Sequence, residues 1–287
     1  MSNFIKSTLL LFVIFLIQLL IYSSFIQDEI STWNATNEEI SAKMQGDDIA
    51  PFIVSTRAIT INANVKEVWN TLITLGADRG GFFAYTFLER LLGFEAHTIN
   101  IPEGYVYDMR VGRLVPTTAT KDEKYSFLVV ASQKYEYFVL EGWGSFALKQ
   151  ISDTQTRLII RTHGLKGLYT WAKVSDLIFE PFHYIMEKRM LLGLKHKIEE
   201  PLNINSYVKY DLIWFSSLVL SAFLILIFIY KNNSFVCFVL ASLYSFLWLY
   251  CLLIFNPLSL YALALLLVVV ISIILLPKKV IKNRWDY

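Results

Sequence analysis

Cysteine is nearly absent from this chain: two residues in 287, Cys237 and Cys251, both inside one apolar run. Fourteen residues of helix would set them about 21 Å apart, too far for a disulfide within the chain. The polar part of the sequence therefore has no thiol redox chemistry and no thiolate metal ligand, and disulfides say nothing of its compartment. Charge is scarce too, at 17% of residues against 55% apolar, low for a soluble protein of this length. The formal net charge of +2 gives no basis for a nucleic-acid partner. The four histidines, His97, His163, His183 and His196, are dispersed and form no His-x-x-x-His or similar ligand pair, so no metal is expected. Nucleophile elbow, phosphate loop and dinucleotide fingerprint are missing, and no cofactor is implied. One acid–base pair in a pocket suffices for some enzymes, so these absences do not exclude catalysis.

What the chain has is four apolar runs: Ser7 to Ile26, Leu212 to Tyr230, Phe235 to Phe255 and Leu258 to Leu276. Each is 19 to 21 residues long and contains no Asp, Glu, Lys, Arg or His. A helix rising 1.5 Å per residue needs about 20 apolar residues to cross the ~30 Å hydrocarbon layer. Only helices and closed barrels satisfy their backbone in lipid, and these runs lack the alternation of barrel strands. Four transmembrane helices are therefore expected. With four spans, both termini share one side, which collects Lys6, Lys231, Lys278, Lys279, Lys282 and Arg284. The segment after the first run carries Asp28, Glu29, Glu38, Glu39, Asp47 and Asp48 with only Lys43 opposing. The positive-inside rule then places the termini in the cytoplasm and the intervening domain outside, in a multi-pass cell-membrane protein. The alternative for the first run is a cleaved signal peptide with Lys6 in its charged region, although Tyr22-Ser23-Ser24 is a poor cleavage site. Asp211 and Lys209 at the mouth of the second span read as snorkelling side chains. The serines of the later runs, Ser216, Ser217, Ser221, Ser242, Ser245 and Ser272, read as helix-contact residues. With no ionisable group at mid-span, these helices read as an anchor and a surface for a membrane-protein partner.

The domain plan is a first span over 1–27, a polar spacer over 28–54, a folded domain over 55–204, and three spans with a basic tail over 209–287. The spacer is expected to hold a short helix near Asn37 to Met44. Ser55 to Asn62 reads as a strand from its β-branched residues. Asn62 or Asn64 can cap a helix over Val65 to Leu75, ended by Gly76. A second helix spans Ala84 to Leu92, stopped by Gly93. Strands are expected over Val111 to Val115, Tyr125 to Ser132, Tyr135 to Gly142, Gly144 to Ile151 and Thr156 to His163, with a turn at Ser152-Asp153. A final helix runs from about Glu180 to Glu200, with Pro181 in its first turn. The layout is α+β, an antiparallel sheet curved around the last helix.

Several segments resemble one superfamily in order. Arg57-Ala-Ile-Thr-Ile-Asn-Ala63 with Val68-Trp69 is similar to the start of SRPBCC domains, the helix-grip superfamily of START lipid-transfer domains and polyketide cyclases. Leu75-Gly-Ala-Asp-Arg-Gly-Gly-Phe-Phe-Ala-Tyr85, continued by Leu88-Glu89 and Leu91-Leu92-Gly93, resembles the DRGGFYSY segment of a bacterial subgroup. Met109 to Val115, Thr156 to Arg161, and Glu180-Pro181 through Gly193 resemble later segments, so that the likeness covers residues 55 to 200. The resemblance implies a helix-grip fold around a mostly apolar cavity suited to a lipid-like or polyketide-like ligand. Because the final helix leads into the second span through Pro201 to Val208, the cavity is expected near the membrane surface.

Trp69, Phe82, Phe83, Tyr85, Tyr137 and Trp143 are candidate lining residues, with core packing as the alternative. Asp78 and Arg79, beside Gly80 and Gly81, can orient a polar head group; equally, Asp78 can cap the second helix or pair with Arg79 to pin the loop. Arg189 falls between Phe182, Ile185, Met186 and Gly193 on the apolar face of the final helix, with His196 two turns on. A buried Arg needs an anionic partner, either Asp78, Glu89 or a ligand carboxylate or phosphate; the alternative is an Arg that snorkels or makes an internal salt bridge. The alternation of His163, Arg161 and Arg157 reads as a solvated outer strand face. The expected function is binding of a hydrophobic or amphipathic small molecule, probed against a cyclase/dehydratase-like enzyme and a structural or sensory module. The sequon Asn34-Ala-Thr36 carries no weight, since such triplets are common by chance.

Overall fold

The chain enters through an apolar helix, α1 (Asn3–Ile21), which widens into a π-helical turn over Tyr22–Ile26. The computed structural model describes residues 3–49, 52–91, 93, 108–118, 123–164, 170–231 and 235–275. Two short helices follow, α2 (Gln27–Ser31) and α3 (Asn37–Ser41), then strand β1 (Ile53–Ile61) and helices α4 (Val65–Leu72) and α5 (Thr86–Leu91). Strands β2 (Leu114–Pro116), β3 (Ser126–Gln133), β4 (Tyr137–Leu140), β5 (Gly144–Ser152) and β6 (Gln155–His163) precede the long helix α6 (Thr170–Glu199). Helices α7 (Ile204–Lys231), α8 (Phe235–Leu253) and α9 (Ser259–Leu275) complete the described chain. It forms two compact units, Gln27–Val208 and the pair of segments Met1–Ile26 with Lys209–Tyr287.

In the apolar unit, three helical stretches among the described residues are long and apolar enough to cross a membrane: Phe4–Ser31, Asn205–Tyr230 and Phe235–Leu253. Ser259–Leu275 is a shorter apolar helix. These lengths make membrane association the natural reading. The helices are joined by side-chain hydrogen bonds, three of them to carbonyl groups. Trp214 Nε1 donates to the Cys251 carbonyl at 3.1 Å and Trp248 Nε1 to that of Leu218 at 2.9 Å. Ser7 Oγ donates to the Ile229 carbonyl at 3.2 Å, and the hydroxyls of Tyr244 and Ser272 meet at 2.5 Å. Polar side chains in apolar helices commonly serve as such contacts. Asp211 does not project outward as its position suggested: it is 3% exposed. The basic tail, Lys278 to Arg284, lies outside the described residues.

In the other unit the strands form one antiparallel sheet in the order β1-β6-β5-β4-β3-β2. Its inner face follows the period of two: Ile59 and Ile61 on β1, Leu158 and Ile160 on β6, Phe146 and Leu148 on β5, Phe138 and Leu140 on β4. Against it pack Val68, Trp69 and Leu72 of α4 and Met190, Leu191 and Leu194 of α6, closing one apolar core. Asn64 caps α4, its side chain accepting from the N–H groups of Lys66 and Glu67. The helix ends at Leu72, not Leu75, because Ile73 and Thr74 turn the chain. Helix α5 starts at Thr86, two residues later than expected, because Ala84 and Tyr85 remain in the preceding loop. Helix α6 starts ten residues before Glu180, so Pro181 lies inside it and not in its first turn. A proline forfeits one helical N–H bond but does not forbid turns before it when the helix is held elsewhere.

One inner-face position breaks the apolar pattern. Arg57, in line with Ile59 and Ile61, is completely buried. Its guanidinium pairs with both Glu180 and Glu187 of α6, and its Nε donates to the Ile30 carbonyl at 2.7 Å. Glu187 also accepts from Thr162 of β6 at 3.2 Å, so one charge cluster ties α2, β1, β6 and α6 together.

The polar segment before β1 is more than a spacer. It lies along the free edge of β1, where Ala58 donates its N–H to the Trp33 carbonyl at 3.2 Å and its carbonyl accepts from Asn34 Nδ2 at 2.9 Å. Covering an edge strand in this way removes a site for unwanted pairing. Helix α3 opens with a capping box between Thr36 and Glu39, and the chain then crosses the outer sheet face. There Arg157 binds Glu39 at 2.8 Å, Arg161 binds Asp47 at 2.7 Å, and His163 Nε2 meets Asp47 at 3.0 Å. Arg161, 1% exposed, also donates to the carbonyls of Glu39, Ile40 and Ala42. The face expected to be solvated is thus covered. The alternation is real, but a strap from distant sequence lies over it.

Candidate ligand-binding cavity

The site is built from a loop, one strand connection and one helix face. After α4, Gly76 and Gly81 exchange backbone hydrogen bonds at 2.9 and 3.0 Å and close a tight loop. Gly80 has no room for a side chain there, since a Cβ would stand 2.7 Å from the Thr74 carbonyl oxygen. Asp78 and Arg79 pair with each other, Nε to Oδ1 at 2.8 Å, inside this loop. The loop then delivers four residues to the interior. Phe83 adopts a positive φ of 54°, which sends Phe82 and Phe83 in different directions. Glu89 of α5 fixes the arrangement: its Oε1 accepts from the N–H of Phe82 at 3.2 Å and of Ala84 at 3.1 Å.

Phe82, Ala84, Tyr85, Leu88 and Glu89 form one wall of a cavity of about 380 Å³. Phe127 and Trp143 supply the sheet side, and His183, Met186, Glu187 and Met190 the α6 side. The wall is overwhelmingly apolar, and its size lies within the roughly 300–1,000 Å³ of small-molecule sites. Trp143 sits in the β4–β5 connection, with ring centroids 5.9 Å from Phe82, 5.2 Å from Phe127 and 6.2 Å from His183. Burial pushes the Glu89 carboxyl above the usual range, against the opposing pull of the Ala84 and Phe82 N–H groups and the Arg189 charge. His183 Nδ1 stands 3.8 Å from Glu180 and 3.9 Å from Glu187, beyond hydrogen-bond reach.

Of the expected site residues, the fold brings Phe82, Tyr85, Glu89 and Trp143 together on this cavity. Trp69 is in the core, edge-on to Tyr135 and Phe138 at 6.0 Å. Asp78 and Arg79 are spent on pinning the loop. Tyr137 lies on the sheet face opposite Phe138. Arg189 is buried but lines a separate cleft of about 20 Å³, with Phe83, Gly193, His196, Lys197 and Tyr207. That volume holds little more than a water molecule. In this cleft burial pushes His196 down to about 4, helped by the Arg189 charge, and lowers Lys197 to about 8. His97 lies outside the described residues. Among those described, no three His, Cys, Asp or Glu side chains converge as a metal site.

His183, Glu187 and Met190 were not singled out from sequence as cavity residues, although their three- and four-residue spacing sets them on one face of α6. No protein-family model matches the chain, and no curated protein or solved structure does either.

Proposed function

We propose that this chain is a membrane-tethered binding protein whose polar unit holds a hydrophobic or amphipathic small molecule without transforming it. The observation that carries this reading is the cavity of about 380 Å³ with an almost wholly apolar wall. A purely structural module has no use for an unfilled apolar space, because every such void forfeits packing contacts. A cyclase- or dehydratase-type site would place an acid and a base about 3 Å apart. Here the cavity's histidine stands 3.8 Å from Glu180 and 3.9 Å from Glu187, and Arg57 already holds both of those carboxylates. Binding is therefore the better-supported class.

The domain reads as a helix-grip fold of the SRPBCC kind, a reading supported by a six-stranded antiparallel sheet with a long C-terminal helix on its inner face. The apolar unit reads as four spans, since Ser259–Leu275, at 17 residues, is at the short end of the length that crosses a bilayer. Lys231 between spans and Lys6, Lys278, Lys279, Lys282 and Arg284 near the chain ends favour termini in the cytoplasm and a binding domain outside. Helices α7 to α9 remain available to a membrane-protein partner.

The test is mass spectrometry of small molecules extracted from the purified full-length chain, beside an Ala84→Phe variant that fills the cavity. The reading expects an apolar molecule near one per chain in the first and none in the second. Equal recovery of bulk lipid from both would contradict it.

A further inference from the structure

Two residues that line the cavity each carry a buried polar atom with no hydrogen-bond partner among the described residues: Glu89 Oε2 and Trp143 Nε1. Glu89 is 6% exposed and Trp143 9%, so bulk water serves neither. Buried polar groups are nearly always paired, because a lone one keeps its full desolvation penalty. A donor and a carboxyl oxygen left over in one apolar cavity point to a partner that is itself part of the ligand.

We propose that the ligand is a neutral alcohol, an apolar molecule whose hydroxyl is held by Glu89 and Trp143. This rests on the binding reading above and narrows it to a chemical class. The indole N–H can only donate. Glu89 cannot turn Oε2 away without releasing the Phe82 and Ala84 N–H groups from Oε1. A hydroxyl complements both atoms in either state of Glu89. It accepts from the indole while donating to the carboxylate, or its oxygen accepts from both the indole and the protonated acid. A ketone leaves an ionised Glu89 without a donor. An ammonium leaves the indole without an acceptor. A carboxylate meets Glu89 and Glu187 in the lining of the same cavity, and the Arg57 guanidinium that pairs with Glu187 is already engaged. The upward push of burial on Glu89 fits a site for a neutral group.

Four labelled probes with one chain length separate these cases: 1-decanol, decylamine, decanoate and decane. Each is titrated against the full-length protein in lipid nanodiscs, with empty nanodiscs subtracted. The proposal expects 1-decanol to bind at least about tenfold more tightly than the other three, a margin of one or two hydrogen bonds. Trp143→Phe keeps an aromatic ring and removes the N–H, and should weaken 1-decanol on the order of fivefold to tenfold more than it weakens decane. If that variant does not fold, the ranking on the unaltered chain still decides. Equal affinities, or a charged probe or decane binding most tightly, would overturn the alcohol while leaving the cavity as a binding site. No saturable binding of any probe would overturn both.

Discussion

Arg57 on β1 and Glu187 on α6, 130 positions apart in sequence, form an ion pair with neither side chain exposed to solvent. Glu180 completes the cluster from two turns earlier on the same helix face. The pair fixes α6 against the sheet at the level of the cavity, because Glu187 also lines it. The position of the cavity's α6 wall therefore depends on a charge cluster as well as on apolar packing.

Replacing Arg57 with Met keeps much of the volume but strands two buried carboxylates. Breaking a buried pair by removing one partner typically costs about 3–5 kcal/mol. The denaturation midpoint of Arg57→Met should fall accordingly, and a loss below about 1 kcal/mol would mean that the cluster is solvated and the buried geometry wrong.

The strap over the outer sheet face should be acid-labile. Arg157 holds the Glu39 carboxyl below the usual range despite partial burial. Burial pushes Asp47 up, but bonds from His163, the Met44 N–H and Arg161 together bring it below its ordinary value. Folded values below unfolded ones mean that the stabilisation is whole above about pH 4 and is lost as pH falls through the folded values. Hydrogen exchange over residues 38–48, corrected for intrinsic rates, should accelerate below about pH 4 while β5 and β6 stay protected. Asp47→Asn should bring the same acceleration at pH 7. Unchanged protection in both would remove the strap's electrostatic basis.

Features set by near neighbours were legible in the sequence. The Asn64 cap, the strand alternation and the turn between β5 and β6 each depend on residues within one element. What was not legible depends on distant ones. Arg157, Arg161 and His163 were correctly set on one face, but nothing local told that residues 36–49 would cover it. Arg57 carried a usable signal that went unread: its period-two alignment with Ile59 and Ile61 puts a charge on the core face, and Glu180 and Glu187, seven apart, supply a matching helix face. Arg189 was read correctly as buried, yet the helical wheel could not tell which of two adjacent hollows it would meet. Tyr85 and Trp143 were read as candidate lining aromatics and Glu89 as a candidate partner of Arg189, and the fold brings all three to one cavity.

Gly193 should reverse the usual helix rule. In a helix interior Gly to Ala is ordinarily stabilising by about 1 kcal/mol. Here an added Cβ would stand 2.0 Å from the Phe83 carbonyl oxygen, where α6 passes the loop backbone. Gly193→Ala should instead destabilise by about 1–3 kcal/mol, as overpacking does. A rise in the melting temperature would show that the crossing is looser than this.

The proposed orientation is open to labelling. With Cys237 and Cys251 replaced, a single cysteine at Asp153, in the turn between β5 and β6, should react with an impermeant maleimide from outside sealed cells. Reaction only after the cytoplasmic face is opened would invert the topology.

The most direct test of the central claim is to locate a bound apolar molecule on the chain. A diazirine-bearing decyl probe, photolysed on the full-length protein in nanodiscs and mapped by peptide mass spectrometry, should mark residues 82–89 and 183–190, and Ala84→Phe should remove that labelling while sparing the apolar helices. Labelling confined to α1, α7, α8 and α9, unchanged by Ala84→Phe, would contradict the claim that the cavity is a binding site.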